Sequence, residues 1–266
     1  MRVSSMVVAS GLAIAAVTAD AGAFTSFIIR NGAGNVPPQI LPNNAYVPGA
    51  TEFVISAGSM KAGWGSSAAD GSTLGSISEL CITRHDDSGR FTAGSGPAVA
   101  PYFNIWITDG ANFAVVANEP SNPSFAAFRT PTVNGGFTYD FSMNDIATEP
   151  AKIYETINGG TNNTWVHAAL GKTGLPLTFA DVLGFTVQAP SAAYITAGGN
   201  GVGSGAPREL GTNTAYGVNW VFGDTLSNYV SGAEGYVVSN PSLVPTPGAI
   251  ALLGLGGLAA VRRRRH

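Results

Sequence analysis

Few side chains in this sequence could act on a bond or hold a ligand, and their spacing decides how far each can be taken. Two internal histidines, His85 and His167, stand singly in polar stretches with no partner at ligand spacing, so a surface or hydrogen-bonded role is expected and no metal site. A serine nucleophile would need a Gly-x-Ser-x-Gly elbow, and Gly201-Val-Gly-Ser-Gly205 has its first glycine one residue off. Hydrolysis of a glycoside would need two carboxylates brought within about 5 to 10 Å. Asp86-Asp87 and Glu119 are the candidates, but distance along the chain says nothing of distance in space. The runs His85-Asp-Asp-Ser-Gly89 and Asp140-Phe-Ser-Met-Asn-Asp145 carry oxygen ligands without the order of a calcium loop, so both are expected to be turns. Cys81 is the single cysteine and can form no internal disulfide; in the alternating run Ile77–Arg84 a half-buried, inert thiol is expected.

Aromatic rings offer the better prospect, because a flat ring can stack on a sugar. Trp64 sits in a Gly/Ser-rich stretch and is the first candidate for ligand contact. In Tyr102-Phe-Asn-Ile-Trp-Ile-Thr108 a period of two puts Phe103, Ile105 and Ile107 on one face and Tyr102, Asn104 and Trp106 on the other. That second face is either a saccharide platform, with Tyr102 and Trp106 as ligand contacts, or the outer edge of the core. Trp220 reads as core.

These residues lie on strands. Strand-like runs cover 24–30, 51–57, 77–84, 102–108, 113–117, 137–141, 184–188, 217–222 and 234–239, many followed by turn residues. Asp109-Gly-Ala-Asn112 is short enough to make a hairpin of two of them. One short helix is expected, capped by Thr178 and running through Asp181 and Leu183. Two stretches, 58–76 and 190–217, read as long irregular loops. The expected fold is all-β: a single domain over 24–241, an antiparallel β-sandwich of which a jelly roll is one form.

Composition agrees. Of 266 residues only 11% are charged and 45% are hydrophobic, so a packed core is affordable and the disordered class is excluded. Between the two ends the chain keeps 8 of its 13 basic and 15 of its 16 acidic residues, a formal charge of −7. Such a body repels phosphate backbones, so no nucleic-acid partner is expected.

The ends read differently. Residues 1–23 have a basic start at Arg2, an apolar stretch from Val7 to Val17, and two Ala-x-Ala exits ending at Ala21 and Ala23, of which the second is favoured. Eleven apolar residues reach only about 16 Å as a helix, too little for a bilayer core, so a signal peptide cleaved by signal peptidase is expected. Residues 242–266 read as a linker followed by a tag. Pro245-Thr-Pro247 and Gly248 precede thirteen uncharged residues, Ala249 to Val261, then Arg262, Arg263, Arg264, Arg265 and His266. The prolines are expected to stop the last strand and hold the backbone extended. The apolar run would span about 20 Å as a helix, and four guanidinium groups at roughly 2.5 to 3.5 kcal/mol each at a bilayer centre hold that end in the cytoplasm.

Pro-x-Pro, a Gly/Leu-rich apolar run and a terminal arginine cluster resemble a PEP-CTERM sorting tag, with Thr246 where the motif that names the family has Glu. The resemblance covers only about the last 23 residues. It implies an exosortase-like membrane transpeptidase as partner, transient anchoring in the inner membrane, and delivery to the cell surface or an extracellular matrix rich in exopolysaccharide. The expected body is non-enzymatic, structural or adhesive. The alternative is a carbohydrate-binding module for exopolysaccharide; a secreted glycan hydrolase or lyase would need converging carboxylates. No cofactor is expected.

Overall fold

A computed structural model describes residues 22–44, 47–85, 101–119, 122–133, 136–157, 160–198, 202–223 and 235–246. Ala21, Asp86, Asp87, Pro247, Gly248, Arg262 to Arg265, the signal segment and the apolar tail run lie outside the described residues.

Fourteen strands are described: β1 (Thr25–Arg30), β2 (Gln39–Leu41), β3 (Thr51–Val54), β4 (Lys61–Ser66), β5 (Ile77–His85), β6 (Tyr102–Thr108), β7 (Phe113–Ala117), β8 (Arg129–Pro131), β9 (Phe137–Phe141), β10 (Pro150–Tyr154), β11 (Leu177–Thr178), β12 (Thr186–Val187), β13 (Val218–Phe222) and β14 (Gly235–Pro245). They form two antiparallel sheets. The back sheet runs β2-β3-β14-β5-β9-β8; the front sheet runs β1-β4-β13-β6-β7-β10-β11, with β12 also on β6. Chain order inside them is telling: β14 inserts between β3 and β5, and β13 between β4 and β6. With β9 and β7 completing the two quartets, this is the double Greek key of a jelly roll.

The reason lies in the alternation. On β6, Phe103, Ile105 and Ile107 face inward, and with Trp220, Phe222, Phe53, Phe141 and Val238 they fill the space between the sheets. Phe53 stacks on Phe222 at 4.1 Å, and Phe103 meets Phe141 edge-on at 5.2 Å. Each such side chain removed from water contributes about 1.5 to 3 kcal/mol, which offsets the entropy of ordering the strands. Trp220 is fully buried there, as its place in the sequence suggests.

Among the described residues three short α-helices decorate the sandwich: α1 (Trp165–Ala169), α2 (Phe179–Val182) and α3 (Ala192–Thr196). The helix expected after Thr178 is α2. Asp181 reaches back to Thr178 N at 2.9 Å to close the capping box, and Lys172 Nζ holds its other oxygen at 2.6 Å.

Three expectations change. The stretch 58–76 is not an irregular loop, because β4 lies within it between β1 and β13. Its glycines are chosen for close packing: a Cβ on Gly63 would come within 2.8 Å of the Phe27 ring, and one on Gly65 within 2.7 Å of Tyr216. The stretch 190–217 carries α3 and then, over 202–217, straps the outside of the front sheet. Leu210 N donates to Ile28 O at 2.7 Å, and Asn219 Nδ2 to Tyr216 O at 2.7 Å. Finally, the body does not end at 241. β14 runs on to Pro245, which pairs with Ile77, and Thr246 N donates to Ser76 O at 2.6 Å. Proline is tolerated because the register shifts between Val244 and Pro245, where the ladder needs no N–H from it.

The strand directions give the sandwich two distinct ends. At the exit end β14 leaves the body, and Gly22 N lies 3.4 Å from Leu243 O, so both chain ends emerge side by side. β14 begins at the opposite end, where Gly235 pairs with Val54, Val221 with Tyr102, and Arg30 with Lys61.

Candidate functional site

At that opposite end the front sheet carries a cavity of about 220 Å³ on its outward side. Five strands supply its wall: Arg30 ends β1, Lys61 begins β4, Tyr102 begins β6, Ala117 ends β7, with Asn118 and Glu119 just beyond, and Lys152 and Tyr154 lie on β10, followed by Glu155. Gly205 closes it from the strap. The assembly depends on pairing: Lys152 sits opposite Ala117, and Ala117 opposite Asn104, so residues distant in the chain meet on one rim.

Lys61 is 1% exposed, an unusual place for an ammonium. Its Nζ donates to Gly205 O at 2.8 Å and lies 5.8 Å from the ring centres of both Tyr102 and Tyr154, whose π faces favour a cation. Glu155 faces it across the strap. Glu155 Oε2 accepts from Gly203 N at 2.6 Å, and a Cβ on Gly205 would stand 2.9 Å from Glu155 Oε1, 3.4 Å from Arg30 Nη1 and 3.7 Å from Lys61 Nζ. Only glycine lets the strap approach this charged cluster so closely. Glu155 itself adopts φ 52°, a left-handed conformation that glutamate rarely takes and that turns its carboxylate under the strap. Burial pulls the Arg208 guanidinium below its ordinary pKa, with Glu155 pushing the other way.

On the open side, Lys152 Nζ pairs with Glu119 Oε2 at 3.0 Å, both side chains about half exposed. Asn118 is 3% exposed, and its Oδ1 accepts from Phe103 N at 2.9 Å. Arg30 Nε donates to Ser59 O at 2.7 Å. A second cavity of about 470 Å³ adjoins along β10, sharing Lys152, Tyr154 and Glu155 and adding Thr156, Thr161, Asn162 and His167. Of the surface or hydrogen-bonded roles expected, His167 takes the second, its Nδ1 lying 2.8 Å from Thr164 Oγ1. It is 3% exposed and closes the α1 capping box with Thr164, and burial lowers its pKa.

Of the three aromatic candidates, Tyr102 lines this cavity, with its hydroxyl donated to Gly223 O at 2.7 Å. Trp106 is no platform: it is fully buried against Val115 and Ala206, and its Nε1 donates to Pro207 O at 3.0 Å in the strap. Trp64 is no loop contact either, since β4 turns it inward, where it packs between Phe24 and Phe53. Glu119 is brought to a second carboxylate, Glu155, in one cavity, but each is held by protein donors. Ala23 and Pro245 lie at the exit end with Gly22 and Thr246. Among the described residues no three His, Cys, Asp or Glu side chains gather closely enough to hold a metal ion.

Sequence reasoning missed Arg30, Lys61, Asn118, Lys152, Tyr154 and Glu155. One signal was available: the chain has three lysines, and two of them line this cavity. No family model, curated protein or solved structure matches the chain.

Proposed function

We propose that this chain is an exported bacterial protein, sorted by its C-terminal tail to the cell surface or extracellular matrix, whose jelly-roll body acts by binding and not by catalysis. The observation that carries the reading is the separation of the two ends. Both termini of the body emerge at one end, and the charged cavity opens at the other. A body held in the membrane by the run after Thr246 would present that cavity outward. β14 alone, with 11 residues, sets the ends apart by roughly 35 Å at the usual strand rise.

Intact mass of the extracellular product tests the delivery: loss of the first 21 to 23 residues and of the chain beyond about Pro247 is expected. Replacement of Arg262 to Arg265 by serine is expected to abolish sorting. Unchanged sorting in that variant would end this account.

The carbohydrate-binding alternative gains one specific support, since two cavities that share Lys152, Tyr154 and Glu155 are lined between them by two tyrosine rings and several polar side chains. A hydrolase or lyase is less favoured, because Glu119 is tied to Lys152 and Glu155 to the strap, leaving neither oriented towards a bond to be cleaved.

A further inference from the structure

Beneath the 202–217 strap two thin apolar layers are separated by a polar seam. Tyr102 packs with Phe27, Ile29 and Val221 in one layer, and Trp106 with Val115 and Ala206 in the other. Asn104 shares their face of β6 and stands between them. Asn219 lies directly opposite it on β13, and both side chains are fully buried.

The hydrogen bonds of this pair do not close. Asn219 Nδ2 donates to Asn104 O at 3.1 Å and to Tyr216 O at 2.7 Å, which uses both its N–H groups. Its Oδ1 is buried and accepts from no donor among the described residues. Asn104 is worse served, since its Oδ1 and its Nδ2 are both buried and neither meets a partner there. Each buried polar atom left unmet costs stability, so three at one place call for something that meets them. Strand pairing sets their surroundings: the row across β4, β13, β6 and β7 reads Gly65, Asn219, Asn104, Ala117, so the pair is flanked by small residues. A Cβ on Gly65 would stand 2.7 Å from Asn219 Oδ1, and glycine is what makes room for that oxygen. Two of the unmet atoms accept and one donates, and none carries a formal charge. An ion would find nothing there to compensate its own charge, whereas water donates and accepts alike and typically makes about three hydrogen bonds when buried.

We infer that one or two water molecules are sealed beneath the strap, held by Asn104 Oδ1, Asn104 Nδ2 and Asn219 Oδ1, and form part of the layer that joins the strap to the sheet. The strap is then a wet cover in its middle and a packed one on either side. This site stands apart from the delivery and binding roles proposed above, and its failure would leave both untouched.

A crystal structure of the protein at a resolution that shows ordered water is the first test. Density for water within about 3.2 Å of Asn104 and Asn219 side-chain atoms is expected. A direct bond between the two side-chain amides, with no water at either, overturns the inference. Asn104→Leu supplies a second test that reads the sign of an effect. If the seam is hydrated, the substitution removes bonds the amide was making, and the thermal midpoint should fall by roughly 2 to 4 °C with the water lost from the crystal. If the seam is dry, the same substitution removes an unmet amide and the midpoint should rise, which also overturns the inference. Should the variant fail to fold, the crystal of the unaltered protein decides alone.

Discussion

Strands β5 and β6 follow one another in the chain, each sits near the middle of its sheet, and each alternates apolar and mixed residues, yet their outward faces meet opposite fates. On β5 the outward residues stay at least partly in water: Ser78 is exposed, and Cys81, Thr83 and His85 are half-buried. On β6 every residue is buried, Asn104 and Trp106 included. The difference is the 202–217 strap, which covers β6 on the front sheet; among the described residues nothing comparable covers β5 on the back sheet, where the 44–50 segment buries only Val237 and Glu52 beside it. The strap builds a second thin core around Trp106, Val115 and Ala206, and another around Phe27, Ile29, Tyr102 and Val221. An aromatic on a sheet's outward face is therefore no sign of a ligand platform until what lies above it is known. The strap also makes the cavity, since Gly203 and Gly205 form its lid over Glu155 and Lys61.

The largest effect expected from this contrast is at Trp106. Trp106→Ala should cost about 3 to 5 kcal/mol in urea unfolding, against less than about 0.5 kcal/mol for Thr83→Ala on the bare face. Similar costs for the two would break the comparison. Next comes the strap's anchor. Asn219 donates to both Asn104 O, at 3.1 Å, and Tyr216 O, at 2.7 Å, so Asn219→Ala should cost on the order of 1 to 3 kcal/mol and increase proteolysis within 202–217.

Asp70 sharpens the contrast through pH. It lies where the strap rejoins β13, so close that a Cβ on Gly217 would strike its Oδ1, and burial raises its pKa to about 6. The folded state thus holds this proton more tightly than the unfolded chain, whose value is 3.8. Stability from Asp70 is fully present below about 3.8 and is lost as pH rises through 6. Asp70→Asn should remove that decline and stabilise the protein at pH 7 by on the order of 1 kcal/mol, allowing for solvent screening at a half-exposed carboxyl. Thermal midpoints from pH 4 to 8 measure it; a wild-type midpoint that rises over that range would contradict the assignment.

The smallest effect is at Cys81 on the bare face. Partial burial, with Asp140 and Glu79 nearby, pushes its thiol up to about 11. Alkylation by iodoacetamide at pH 8 should accordingly be slower than for a free cysteine and accelerate only above pH 10, leaving stability nearly unchanged. Rapid reaction at pH 8 would show a more open face than described.

Much of the scaffold was legible because strand patterning is local. All nine expected runs contain strands, three of them with the bounds read from the sequence, and the Thr178 cap was visible because Thr and Asp three apart can satisfy each other's backbone. The glycines of β4 misled, since the same residue that marks a loop also permits a ring to lie flat on a strand. Pro245 misled likewise, because a bulge removes the need for its missing N–H.

The sequence by itself determined the sandwich, its inward face and the contrast in composition between body and ends, all set by periodicity and charge within short windows. Only the tertiary structure decided the site. Lys61, Tyr102, Asn118, Lys152 and Gly205 meet because antiparallel pairing in a jelly roll joins strands far apart in the chain, and no local pattern records which distant strand will become a neighbour or which loop will fold across the sheet.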